Sequence, residues 1–368
     1  MIPLNDFRRQ WEDTRSDALA AFDAVGSCGW YILGRETAEF ERELADSWGM
    51  GHAVGVASGL DAIELSLKAL GCGRGDRVLT TALSAFATTL AIVKTGAVPV
   101  FADTDEFGLI DLERCREALS SRPEIRFFVP VHLYGHALDM TQLAALREKF
   151  ECRIVEDCAQ SIGASHRGVA TGTAGHLAAV SFYPTKNLGA LGDGGAILTG
   201  DPQLAEAVRT LRDYGQSAKY RHETIGYNSR LDELHASYLR RVALPRLAGW
   251  TKARRRIART YLENLRNEAN LPPGSPHGSD SCWHLFPVYA RRKDCLMNWL
   301  RQHGITSGEH YPALITEQPA MSGVSFEVFG DLSTAARIAR SEVSLPIHPY
   351  LTGEEIARVV DACNSWRG

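Results

Sequence analysis

Three short segments of this 368-residue chain carry side chains whose types and spacing could do chemistry together. The first is Ser181-Phe-Tyr-Pro-Thr-Lys-Asn-Leu-Gly-Ala-Leu-Gly-Asp-Gly-Gly, where Lys186 follows a strand-like run among apolar and small neighbours. A poorly solvated ammonium gives up its proton more readily, so such a lysine becomes an amine nucleophile. The second is Ile154-Val-Glu-Asp-Cys-Ala-Gln-Ser. Strand alternation sends Glu156 and Asp157 to opposite faces, which leaves one carboxylate at a strand tip with Gln160 three residues later. The third, Ser58-Gly-Leu-Asp, leads from a strand into a helix. Free backbone N–H groups and the positive end of the helix dipole there suit an anion, phosphate above all.

Each segment has a plainer reading when it stands alone: a surface lysine on a loop, Asp157 as a helix N-cap, a strand–helix turn that binds nothing. Together and in this order they fit one cofactor. Pyridoxal phosphate needs a lysine for an imine, a carboxylate to keep its ring nitrogen protonated, and a phosphate cup.

The elements that must position these groups follow from hydrophobic patterning. Strand-like runs at Ala53–Ala57, Arg77–Thr80, Val98–Ala102, Phe127–Val131, Arg153–Val155, Ala178–Tyr183 and Ala196–Thr199 alternate with helical stretches. Those stretches cover Asp61–Leu70, Phe86–Thr95, a segment capped by Asp111 and running to Leu119, Thr141–Phe150 and Leu204–Tyr214. Apolar strands interleaved with helices predict an α/β fold, a mostly parallel sheet covered on both faces. Ligands of such sheets bind beyond the carboxyl ends of the strands, which is where all three segments fall. A basic helix is expected over Leu234–Leu265, broken near Pro245, and a smaller α+β domain after it. The expected division is a large cofactor-binding domain, residues 1–245, and a small C-terminal domain, residues 246–368.

With 45% hydrophobic and 23% charged residues and a formal charge of −4, the chain is unsuited to general disorder and poorly suited to a nucleic-acid backbone. No apolar run approaches the ~20 residues of a membrane span, and Met1-Ile-Pro-Leu-Asn-Asp-Phe-Arg-Arg does not read as a secretory leader. A cytoplasmic protein is the expectation. Its eight cysteines are scattered, without a Cys-x-x-Cys pair, and read as buried, quiet thiols. No metal is expected, since His132 and His136 lack a second ligand cluster. Gly71-Cys-Gly-Arg-Gly-Asp follows a helix and reads as a C-cap turn. Lys252-Ala-Arg-Arg-Arg-Ile-Ala-Arg reads first as a solvated helix face, and only second as an attractor for a diphosphate or a nucleic acid.

The sequence also resembles the nucleotide-sugar aminotransferases of the DegT/StrS group, fold-type-I pyridoxal phosphate enzymes. The resemblance runs from Tyr31-Ile-Leu-Gly to Leu345-Pro-Ile-His-Pro-Tyr-Leu. It includes Val54-Gly-Val-Ala-Ser-Gly, Pro130-Val-His-Leu-Tyr-Gly-His, Glu156-Asp-Cys-Ala-Gln-Ser, Ser181-Phe-Tyr-Pro-Thr-Lys-Asn-Leu-Gly and Gly226-Tyr-Asn-Ser-Arg-Leu-Asp-Glu.

By that resemblance Lys186 would form the imine and carry the proton, Asp157 would hold the pyridine nitrogen, and Gln160 the ring hydroxyl. Phe86 would stack on the ring, while the backbone at Gly59 and Leu60 and the Ser181 hydroxyl would hold the phosphate. Asn228 would reach the same phosphate from a second subunit, so the active species would be a homodimer with shared sites. Arg230 would meet a carboxylate of the amino donor, and His310 and Tyr311 would lie near the sugar. The implied reaction moves an amino group from an amino acid, L-glutamate in the family, to a nucleotide-linked keto-deoxysugar.

The chain departs from the pattern at Leu60 and Ala85, where threonine is commoner, and at Leu314 and Thr316, where a proline and a histidine are usual. The apolar residue before Asp61 is similar to members acting at the 3-position of the hexose. Lys186 itself separates the chain from a deoxygenating branch that carries histidine there. Two alternatives stay open: a fold-type-I enzyme acting on another ketone such as a cyclitol, and a cofactor-binding regulator without catalysis.

Overall fold

Phe127 and Phe128 are neighbours in sequence and both wholly buried, yet they sit in different cores. That follows from strand alternation in a sheet with helices on both sides. The computed structural model describes residues 1–368. Its main sheet has eight strands, in the order His52–Val56, Gly195–Thr199, Leu177–Ser181, Arg153–Asp157, Ile125–Phe128, Arg77–Thr81, Val98–Ala102 and Glu327–Val328. All pairs are parallel except those made by Gly195–Thr199, which is antiparallel to both neighbours. On one face a core of 31 buried residues lies under the helices Leu112–Ser121, Met140–Phe150 and Ser333–Ser341. On the other, 21 buried residues pack with Gly59–Ala69, Phe86–Lys94 and Pro202–Arg212. The two helices Phe7–Cys28 and Arg35–Trp48, which the strand–helix alternation did not pick out, cover a third core near Gly195–Thr199.

The C-terminal half refines what the sequence predicts. The break in the basic helix is a π turn at Leu239–Ala243, placed before Pro245. Proline has no N–H to give, so the helix must re-register there before it continues through Leu244–Asn264.

The sequence places the division at 245 and 246 within or beside a helix, and it does fall inside this one, whose Trp250 packs with the large domain and whose Ile257, Ala258 and Tyr261 pack with the small one. Residues assigned to the small domain also return: Glu327–Val328 pairs with Val98–Ala102, and Leu314, Ile315, Ala335 and Ile338 enter the largest core. A two-residue strand carries too little periodicity to be read in advance.

The Lys252–Arg259 stretch is likewise not one solvated face. Arg254 is buried and donates to the carbonyls of Trp283, His284 and Ile347. Arg255 reaches the carbonyls of Ser281 and Gly163 and pairs with Asp280. All eight cysteines are free and six are buried, but Cys28 is exposed and Cys295 half-buried.

Candidate active site

The parallel strands deliver their carboxyl ends to one edge of the sheet, and the candidate residues gather there. Glu156 and Asp157 end a strand and point to opposite faces, as alternation requires. Glu156 turns into a closed polar knot. It accepts from the Gly172 N–H at 2.8 Å, the Gly175 N–H at 2.6 Å and His132 Nε2 at 2.8 Å. His132 Nδ1 accepts the Leu138 N–H, which places the ring proton on Nε2. The ligand atoms of His132, Glu156 and Cys158 lie within 4.8 Å of one another, but Glu156 already accepts three hydrogen bonds there.

Asp157 faces the other way and is 5% exposed. Thr88 Oγ1 donates to its Oδ2 at 2.8 Å and the Ala159 N–H to its Oδ1 at 3.1 Å. No helix follows it, so the N-cap reading fails. Burial pushes its carboxyl pKa up, while Ala159, Thr88 and the Lys186 cation pull the other way. Its backbone is fixed by Pro130 and His132, which bond Asp157 N and O at 2.9 and 3.1 Å.

Lys186 sits in the loop after Leu177–Ser181, anchored by its N–H to the Tyr183 carbonyl at 2.8 Å. Burial lowers its ammonium pKa to about 8 against the pull of Asp157, and its amine takes no hydrogen bond from the chain. The phosphate-type turn is packed tightly against this loop. A Cβ on Gly59 would lie 2.6 Å from Ser181 Cβ, and one on Gly195 would lie 2.4 Å from the Ser58 carbonyl oxygen. Only glycine permits that approach. Ser58 caps the helix Gly59–Ala69 through the Asp61 N–H, and the first N–H groups of the helix have no acceptor inside it. The Asp61 carboxylate accepts the Ser229 hydroxyl at 2.7 Å.

Phe86 opens the helix Phe86–Lys94 and borders a cavity of about 190 Å³ with Ser84, Tyr311 and Ile315. Gln160 is held at both ends: its Oε1 accepts the Tyr134 N–H at 2.8 Å, and its Nε2 donates to Tyr311 Oη at 3.2 Å. Tyr134 Oη in turn donates to the His310 carbonyl at 2.6 Å. Asp157, Gln160, Lys186, Ser181, Gly59, His310 and Tyr311 are thus brought to one locality. Asn228 and Arg230 are not joined to it within one chain. Asn228 is exposed, and Arg230 pairs with Asp213 at 2.9 Å and lies over the Tyr214 ring.

The sequence profile of the DegT/DnrJ/EryC1/StrS aminotransferases matches residues 12–364. The chain belongs to that family. It is 42% identical over 99% of its length, and 96% of the relative's, to the dTDP-3-amino-3,4,6-trideoxy-α-D-glucose transaminase of Streptomyces venezuelae. It is 40% identical, with 98% of both chains covered, to the erythromycin biosynthesis sensory transduction protein EryC1 of Saccharopolyspora erythraea. The solved structure of S. venezuelae DesV in complex with a ketimine intermediate superposes with a TM-score of 0.95 at 42% identity, covering 99% of this chain and 98% of that one.

Four further residues bordering this cluster carry no signal strong enough to single them out from sequence. Thr88 lies two residues beyond Phe86 and Ser84 Oγ is 3.1 Å from its hydroxyl, so a polar pair one turn apart was the available signal. Tyr134 lies in Pro130-Val-His-Leu-Tyr-Gly-His, whose pattern gives it no role. Buried His284, whose pKa burial pushes well down with the help of Lys186 and His310, shows no pattern in sequence. Glu342, which is buried and binds the His310 N–H, lies 32 residues further along the chain.

Proposed function

We propose that the protein is a homodimeric, cytoplasmic, pyridoxal phosphate-dependent aminotransferase that moves an amino group from L-glutamate to C3 of a nucleotide-linked keto-deoxyhexose. One observation carries this reading. A lysine amine with no hydrogen-bond partner and a pKa near 8 lies beside a buried carboxylate that has its own positioning hydroxyl. The family profile and the 3-aminosugar transaminase among the relatives support the reaction class and ring position. No helix is long and apolar enough to cross a membrane.

The residues fit the cofactor. Lys186 offers an unpartnered amine, and the Gly59 turn leaves no room for a side chain against Ser181, only for backbone N–H groups. Gly59, Leu60 and Ser181 would hold the phosphate, joined by Asn228 of the partner subunit; Phe86 would cover the ring face, and Gln160 the ring hydroxyl. When bound, pyridoxal phosphate supplies an electron sink for the bond broken at the substrate carbon.

Asp157 would hold a proton at the ring nitrogen, its carboxylate oriented by the Thr88 hydroxyl. Lys186 Nζ takes the α-proton of the amino donor and, in the second half, delivers a proton to the former carbonyl carbon of the sugar. Arg230 would take the donor's carboxylate, and His310 and Tyr311 would meet the sugar.

The test is the purified protein loaded with pyridoxal phosphate and mixed with L-glutamate. One equivalent of 2-oxoglutarate per subunit is expected, and none from Lys186→Ala. A regulator without catalysis would release none in the parent protein either. Turnover of a keto-cyclitol in preference to dTDP-linked 3-ketosugars would sink the sugar assignment.

A further inference from the structure

The segment carrying His310 is zipped onto the strand Glu342–Leu345. Ser344 N donates to the Gly308 carbonyl at 2.8 Å, and Gly308 N to the Ser344 carbonyl at 3.1 Å. Strand alternation puts Glu342 and Ser344 on one face, and both side chains reach His310. One oxygen of Glu342 accepts the His310 backbone N–H at 2.6 Å. The other accepts the Ser344 hydroxyl at 2.5 Å. Ser344 Oγ lies 2.8 Å from His310 Nδ1.

A hydroxyl has one proton to give. Burial pushes the Glu342 carboxyl up to about 7 against the His310 N–H and the Ser344 hydroxyl; in its ionised form Glu342 takes the Ser344 proton, so the serine oxygen accepts from the imidazole and the ring proton sits on Nδ1. The hydrogen bonds of His310 use its N–H, its carbonyl and Nδ1; Nε2 has no partner in the chain. Burial, helped by Lys186, lowers the imidazole pKa to about 4, so the ring is neutral at physiological pH and Nε2 carries a lone pair. Lys293, Glu309, Tyr134, Tyr289, Tyr311 and His284 are also ionisable groups near the relay, and Lys293 is occupied by Glu309 at 2.6 Å.

We infer that Glu342 and Ser344 are positioning residues that lock His310 as an Nε2 acceptor, so that the site takes a hydrogen bond from a hydroxyl of the sugar. This deepens the proposed function and rests on its placement of His310 beside the sugar. The relay makes a specific demand on substitutions. In Glu342→Gln the amide oxygen keeps the His310 N–H, and the amide N–H₂ donates to Ser344. The serine proton then turns to Nδ1, and the imidazole proton moves to Nε2. The acceptor becomes a donor with little change of shape. In Ser344→Ala the lock is lost and both tautomers coexist.

The experiment uses the full-length, pyridoxal phosphate-loaded protein with ¹⁵N-labelled histidine. Long-range proton–nitrogen spectra read the tautomer, and His310 is assigned by His310→Asn. The Nδ1–H form is expected in the parent, the Nε2–H form in Glu342→Gln, a mixture in Ser344→Ala and the parent form again in Ser344→Thr. In parallel, the two half-reactions are timed separately with L-glutamate and with dTDP-3-amino-3,6-dideoxygalactose. In Glu342→Gln and Ser344→Ala, kcat/KM for the aminosugar should fall on the order of tenfold more than for glutamate, mainly through KM. An Nε2–H ring in the parent, or equal losses in both half-reactions, overturns the inference. Failure of the proposed function looks different: the parent turns over neither amine, while the spectra still report the tautomer.

Discussion

Glu156 and Asp157 are adjacent carboxylates on one strand end, both buried, and they do opposite things. Glu156 meets three donors and no free cation in a closed pocket, so its charge is used up in holding the Gly172 and Gly175 turn and His132 in place. Asp157 meets one hydroxyl, one backbone N–H and the field of a nearby lysine, and part of its charge stays available at the sheet edge. Burial does not make a carboxylate functional. What matters is whether its donors saturate it and whether an ionisable partner shares its cavity.

The contrast can be broken by mutation, and Lys186→Ala should have the largest effect. Turnover should fall by at least about 10⁴-fold while the folded protein still binds pyridoxamine phosphate. A variant retaining full activity in a steady-state assay removes the lysine from the mechanism. Asp157→Asn comes next: a drop of about 10² to 10³-fold in kcat with an unchanged melting curve, because the lost charge acts only during the reaction. A near-normal rate would leave Asp157 no better placed than its neighbour.

Glu156→Gln should reverse that pattern. An amide cannot accept all three donors, so stability should fall by about 1–3 kcal/mol in denaturant titration while kcat changes less than about fivefold. A rate loss as large as that of Asp157→Asn would abolish the distinction between the two faces.

Thr88→Val sharpens the comparison with a smaller effect. Loss of the hydroxyl at 2.8 Å should raise the Asp157 pKa further and cost about three- to tenfold in kcat. The rate should recover in Thr88→Ser.

A pH experiment tests the cavity that Asp157 and Lys186 share. Lys186 has its pKa lowered to about 8, so its amine is protonated below that pH and neutral above it. Capture of added pyridoxal phosphate by the cofactor-free protein should therefore speed up through pH 8 and level off by about pH 9. A rise delayed to the ordinary lysine range near pH 10.5 would mean that the amine is solvated.

The site was legible in unequal parts. Lys186, Asp157, Gln160 and the Ser58–Gly59 turn stand out because each ends or follows a strand of the mostly parallel sheet, where chain order alone sends polar groups to the binding edge. Thr88 and Tyr134 were near quoted residues, but nothing in their spacing says that one hydroxyl turns towards Asp157 and one backbone N–H towards Gln160. Asn228 and Arg230 stay apart from the cluster in a single chain, and for Asn228 the resemblance implies a second subunit.

The fold divides along the same line. Strand–helix alternation is a local property, so the interleaved α/β pattern, the buried apolar strands and the strand-end positions of the candidate residues were fixed by residue order. The strand Glu327–Val328 joining the large sheet, the burial of Arg254 against three carbonyls and the reach of Glu342 and Ser344 to His310 depend on segments far apart in sequence. Such contacts leave no period and no spacing, because the chain brings their partners together only after the cores have closed.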